Sequence, residues 1–172
     1  MKGLVHIYCG DGKGKTTAAS GLAARAAGAG KKVIFCQFFK TGESSEIKAL
    51  RTLPAIEMFH CKTVPGFYYK MTPEQKQQAQ KDYSALCQRA LQAAAGVDVL
   101  ILDEAISACN YGVIDEDMLR EFIRNKPEGL EMVLTGRDPS PALLELADYV
   151  TEMRKIKHPF DQGIAARRGI EF

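Results

Sequence analysis

The segment Cys9-Gly10-Asp11-Gly12-Lys13-Gly14-Lys15-Thr16-Thr17 holds three glycines at alternate positions, two lysines and two adjacent hydroxyls. Alternating glycines leave backbone N–H groups uncovered, lysine adds a point charge, and a threonine hydroxyl is a hard oxygen ligand. Together they suit a nucleotide polyphosphate bound with Mg2+. The usual phosphate loop, G-x-x-x-x-G-K-[ST], requires glycine at position 9; this chain has Cys9 there and Gly10 one residue later. A loop shortened by one residue still wraps phosphates, but the direction in which ATP lies is left open. Lys15 is expected to reach the phosphates and Thr16 to offer its hydroxyl to Mg2+. Gly10, Gly12 and Gly14 are expected to keep side chains out of the way of the polyphosphate.

A second chemical signal is the run Val99-Leu100-Ile101-Leu102-Asp103-Glu104, an apolar stretch that ends in two acids. Acids at the exit of a buried strand are common, but behind a phosphate loop they read as Mg2+-directed.

Both signals need strand ends, and the chain supplies apolar runs at 4–8, 32–39, 56–61, 97–104, 130–136 and 149–156. They are continuous rather than alternating, which suits strands covered on both faces, and helical stretches separate them. An α/β fold with a mostly parallel sheet of about six strands follows. Thr72-Pro73-Glu74-Gln75 forms a capping box that starts a helix running to about Ala95 and stopping at Gly96. A helix from Lys15 to Ala27 ends at Gly28 or Gly30. Asp115 caps another that stops before Pro127, and Ser140-Pro141 opens one more.

At 172 residues with no break in composition, the chain reads as a single domain, 1–172. Its 23 basic residues nearly balance 21 acidic ones, so no nucleic-acid surface is expected. The N-terminal apolar run is too short for a signal or membrane segment. Cys9, Cys36, Cys61, Cys87 and Cys109 form no C-x-x-C pair, which points to reduced, buried thiols and a cytoplasmic location.

With "GDGKGKTTAA", "GLAARAAGAGK", "CQFFKTG", "PGFYY", "LDE", "LTGR", "ADYVTE", "KHPFDQGI" and "RGIEF" in one order, the chain resembles ATP:corrinoid adenosyltransferases of the cob(I)alamin type found in bacterial cobalamin synthesis. The resemblance covers essentially the whole chain. It implies a three-layer, RecA-like fold of the P-loop NTPase type and an unusual use of ATP. A Co(I) corrinoid attacks the ribose C5′, a cobalt–carbon bond forms, and the whole triphosphate leaves. ATP lies reversed in the family, so the loop grips a leaving group. Carried over by position, Gly10, Asp11, Gly12, Lys13, Gly14, Lys15, Thr16 and Thr17 hold the triphosphate. Lys15 and Thr16 stabilise its charge with Mg2+, Glu104 helps bind metal or nucleotide, and Arg25 lies near the purine. A homodimer and an electron donor such as a reduced flavoprotein are further implications.

Two departures stand out. Members typically read "GFTW" where this chain has Gly66-Phe67-Tyr68-Tyr69, and the chain has no tryptophan. Phe67 and Tyr69 are implied to approach the corrin underside and exclude its lower ligand, pointing to one side if the segment is extended; the bland alternative is a packing cluster. Longer members also have an N-terminal extension near the active site. Here Lys2-Gly3 lead almost directly into the first strand, so cover is expected from a partner subunit, a loop or the enzyme that takes the product.

Two other functions compete. A small-molecule P-loop kinase needs an acceptor hydroxyl, an acid and an arginine, for which Asp103, Arg137 and Arg154 are available. A nucleotide-gated corrinoid-binding module needs no chemistry at all. His158 reads as a structural or loop histidine, His6 and His60 as packing or satisfied polar residues, and Arg167 and Arg168 as a small basic patch that is most simply solvated, with contact to corrinoid side chains or triphosphate as the alternative.

Overall fold

A computed structural model describes residues 2–171 except 63–65 and 67. Six strands form one sheet: β1 (Val5–Cys9), β2 (Val33–Gln37), β3 (Ile56–His60), β4 (Val99–Asp103), β5 (Glu131–Thr135) and β6 (Tyr149–Glu152). The order is β3-β2-β4-β5-β1-β6 and each neighbouring pair is parallel, so every strand exits at the same edge of the sheet.

The continuous apolar runs are explained by two-sided burial. All five residues of β2 and of β4 are buried, and successive side chains enter opposite layers. Ile34, Cys36, Leu100 and Leu102 pack on the side of α3 (Pro73–Ala93), α4 (Ala105–Asn110) and α5 (Glu116–Asn125). Val33, Phe35, Val99 and Ile101 pack with Ala19, Ala23 and Ala26 of α1 (Lys15–Gly28) and with Ile47 and Leu50 of α2 (Ser45–Leu50). The result is three layers, helix, sheet, helix. β6 departs from the pattern. It is an edge strand of four exposed residues, shorter than the apolar run at 149–156 implied.

The cap signals set the helix starts. Thr72 Oγ1 accepts from Gln75 N–H, and Gln75 Oε1 accepts from Thr72 N–H, closing the capping box at α3. Asp115 caps α5 by accepting from Asp117 N–H, and Ser140 caps α6 (Pro141–Glu145) by accepting from Leu143 N–H. α3 gives way to a 3-10 turn at Ala94–Gly96, where the sequence places its stop.

The five cysteines are free thiols. Burial pushes Cys61 up to about 11 and Cys87 and Cys109 up to about 12. At pH 8 a thiol near 11 is only about 0.1% thiolate, and the thiolate is the nucleophile. Iodoacetamide at pH 8 is therefore expected to leave these three unmodified in native protein during a period that fully alkylates denatured protein. Peptide mass spectrometry reads the difference, and rapid native alkylation at Cys87 contradicts the packing.

Candidate functional site

β1 delivers the chain into the glycine-rich turn, and α1 begins at Lys15. Gly14 precedes it at φ 122, a conformation that favours glycine, and provides no side-chain cap. No acid occupies the first turn of α1, so its unpaired N–H groups and positive end face outward, suited to an anion. Lys15 is only 8% exposed, and its ammonium donates to the carbonyls of Gly10 at 2.7 Å and Gly12 at 2.9 Å. Burial lowers its pKa from the ordinary lysine value, while Glu104 opposes that shift. A cavity of about 630 Å³ opens here, lined among others by Lys13, Thr16, Lys40, Glu104 and Arg137.

The two acids are placed differently. Asp103 is fully buried and accepts from Thr16 Oγ1 at 3.0 Å, Gln37 Nε2 at 2.9 Å and Thr135 Oγ1 at 2.7 Å. Register explains this: Gln37 is the β2 partner of Asp103, and Thr135 ends β5 on the other side. Glu104 turns into the left-handed region at φ 63, with its N–H donating to Thr135 Oγ1 and its carboxylate accepting from Ser107 Oγ at 2.7 Å. A non-glycine residue in that region is strained, and the turn sets the Glu104 carboxylate on the cavity wall. Of the two, Asp103 is therefore the acid in contact with Thr16.

The donor set fits a hard divalent cation. Thr16 hydroxyl, Asp103 and Glu104 carboxylates are all oxygen, and the buried Gln37 Oε1 beside Asp103 has no hydrogen-bond partner. Among the described residues no cluster of three or more His, Cys, Asp or Glu forms a self-sufficient metal centre. Mg2+ commonly uses one or two carboxylates and completes its shell with water and phosphate.

The glycines serve a second purpose. A Cβ on Gly10 or Gly12 would lie 2.6 or 2.5 Å from the carbonyl oxygen of Met153, just past β6. Gly12 N–H donates to that oxygen at 2.6 Å, and Asp11 accepts from Lys155 N–H at 2.9 Å. That bond holds the Asp11 carboxyl below its usual pKa. The missing side chains of Gly10 and Gly12 thus also admit the chain after β6, while Gly12 and Gly14 line the cavity. Gly14 faces only the Met153 side chain. The C-terminal segment then returns over the loop, with Lys13 Nζ donating to the Ile170 carbonyl at 3.2 Å.

Other expected residues are more dispersed. Thr17 lines the cavity. Arg25 lies on the exposed face near the end of α1, close enough to Tyr8 to influence its hydroxyl, and outside the cavity lining. Tyr69 is 66% exposed in a 3-10 turn at Tyr68–Lys70, which is not extended, and Phe67 lies outside the described residues. Tyr68 is the packing member, tilted over Tyr111 and edge-on to Phe39. His158 caps a 3-10 turn by accepting from Phe160 N–H, as a loop histidine should. Arg167 pairs with Glu171, pulling the Glu171 carboxyl down to about 2. Sequence reasoning missed Gln37, Lys40 and Thr135. Their signal was a polar residue at or just after the end of an apolar strand.

The sequence model of the family described as ATP:corrinoid adenosyltransferase BtuR/CobO/CobP matches residues 1–172. The chain belongs to the ATP:corrinoid adenosyltransferase family. It is 34% identical over 172 residues to a corrinoid adenosyltransferase of Pseudomonas aeruginosa, covering 99% of this chain and 84% of that protein. It is 33% identical over 177 residues to a corrinoid adenosyltransferase of Escherichia coli K12, covering 99% and 86%. Among solved structures, the KaiC-like protein PH0186 from Pyrococcus horikoshii superposes with a TM-score of 0.54 at 16% identity, over 91% of this chain and 75% of that one. The cytoplasmic domain of EssC gives 0.55 at 17%, over 96% and 35%. These last two likenesses bear on the fold, which is that of P-loop NTPases. Among the described residues no helix is long and apolar enough to cross a membrane.

Proposed function

We propose that this single-domain chain, residues 1–172, transfers the 5′-deoxyadenosyl group of ATP to the Co(I) centre of a corrinoid and releases triphosphate. The observation that carries the reading is the joining of the uncapped start of α1 to a buried acid through Thr16, within a chain that matches the adenosyltransferase family from end to end. In the reaction the cobalt electron pair forms the Co–C5′ bond, the C5′–O bond breaks, and its electron pair leaves on the triphosphate.

The residues answer the charge of that leaving group. Lys15 and the N–H groups of Gly14 to Thr17 hold negative charge as it gathers on the triphosphate. Mg2+ bound at Thr16, Asp103 and Glu104 would supply Lewis-acid neutralisation of phosphate oxygens. Gly12 N–H is engaged with Met153, so the phosphates draw on the inner part of the loop. Arg25, beyond the cavity, is reserved for the purine end. Tyr69, itself 66% exposed, faces the corrin with Phe67 in this reading. No general base is required, because the nucleophile carries no proton. A homodimer, a cytoplasmic location and a reduced flavoprotein as electron donor belong to the same proposal.

The test is incubation with ATP, Mg2+ and chemically reduced cobalamin, followed by identification of both products. Adenosylcobalamin with triphosphate supports the proposal; ADP selects a kinase, and unchanged ATP with retained binding selects a binding module.

Glu104→Gln is expected to raise the Mg2+ concentration needed for half-maximal transfer, because a neutral amide binds a hard cation poorly. Excess Mg2+ should recover part of the rate. An unchanged Mg2+ dependence assigns Glu104 to shaping the turn into α4 and leaves the metal to Asp103.

A further inference from the structure

Lys40 lies three residues past the end of β2, and its side chain is 37% exposed on the cavity wall. Its ammonium is 3.5 Å from Asp103 Oδ2 and donates to Thr16 Oγ1 at 3.3 Å. These are oxygens of two of the three residues to which the proposed function assigns Mg2+. The approach is built in by the backbone. Phe38 N–H is tied to the Asp103 carbonyl at 3.0 Å, and Phe39, held at φ 57, packs edge-on against Tyr83 and Tyr111. That turn directs the following residue, Lys40, back over the end of β4.

Asp103 is fully buried, and its hydrogen bonds to Thr16, Gln37 and Thr135 come from neutral donors. A buried carboxylate without a counter-charge is costly. Lys40 supplies that charge. Mg2+ binds oxygen at about 2.0–2.1 Å, and a dication seated on these oxygens repels an ammonium held 3.5 Å from Asp103 Oδ2. The lysine must withdraw, and its flexible stem keeps it within the cavity that receives the polyphosphate.

We infer that Lys40 is a resident counter-cation of the Mg2+ position: it holds Asp103 and Thr16 until the metal displaces it, and it then pairs with the triphosphate. The inference rests on the reading of Thr16 and Asp103 as metal ligands. It makes Lys40 both a competitor of the metal and a partner of the leaving group, which couples metal arrival to phosphate binding.

The test uses nucleotide-free protein titrated with Mn2+, read by the electron paramagnetic resonance signal of free Mn2+, and separately with inorganic triphosphate in the absence of metal. Lys40→Met and Lys40→Gln should bind Mn2+ about tenfold more tightly than the parent and bind inorganic triphosphate about tenfold less tightly. Asp103→Asn should remove Mn2+ binding in either background. Thermal melting confirms that each variant is folded. If Mn2+ binding depends on Asp103 but is unchanged in both Lys40 variants, the counter-cation role is overturned while the metal reading stands. If Mn2+ binding survives Asp103→Asn, the metal reading fails and the inference fails with it. Weaker Mn2+ binding in the Lys40 variants also overturns the inference, because it would make Lys40 a support of the site rather than a competitor.

Discussion

Lys15→Ala is expected to slow adenosyl transfer by about 10²–10³-fold at saturating ATP, the usual cost of removing one preorganised group that meets developing charge. The Lys15 ammonium is buried at the start of α1 and donates to two loop carbonyls, Gly10 and Gly12. It is therefore aimed and partly desolvated before any nucleotide arrives. As the C5′–O bond breaks, charge builds on the triphosphate, so the interaction is stronger in the transition state than with bound ATP. The fold should suffer less, by about 1–3 kcal/mol, since the loss is of hydrogen bonds to the loop's own carbonyls. Single-turnover assays with ready-made Co(I) cobalamin, counting triphosphate released, separate this chemical effect from cobalt reduction. A near-normal rate in folded protein removes Lys15 from the leaving-group role.

The parts of the site that were legible in the sequence are those with local causes. The glycine-rich turn, the capping box at Thr72, the other helix caps and the runs that alternate between two buried layers each declare themselves within a few residues. Long-range placement does not. Gln37, Thr135 and Asp103 lie far apart in the chain and meet only because β2 and β5 flank β4. Each is a polar residue that closes its strand, a signal that takes on meaning only when the strand order is known. The two short helices α2 and α4 carried no strong period, since about a turn and a half of helix is too short for one to show. Tyr69 was assigned from a resemblance, and its 3-10 turn arises from the chain's path into the capping box at Thr72, which alternation could not foresee.

Substitution of Gly12 gives the second large effect. Gly12 carries no positive φ, so alanine there faces no conformational barrier of the left-handed kind. The obstacle is contact: a Cβ would meet Met153 O at 2.5 Å, Met153 C at 2.8 Å and Arg154 C at 2.9 Å, all backbone atoms. Backbone cannot swing aside as a side-chain tip can, so either the loop or the strand exit must shift. The Gly12 N–H bond to Met153 and the Asp11 bond from Lys155 are then strained together. Gly12→Ala is expected to destabilise the fold by about 1–3 kcal/mol, the usual cost of overpacking, and to weaken ATP binding because the loop is displaced. Gly21→Ala is the control. It lies in α1 with nothing within 4 Å of an added Cβ, so it should raise stability by about 0.5–1 kcal/mol. Thermal melting and nucleotide titration of both variants decide the matter. If Gly12→Ala melts with the parent and binds ATP as tightly, the segment after β6 yields freely, and its contact with the loop does not hold the phosphate site in shape.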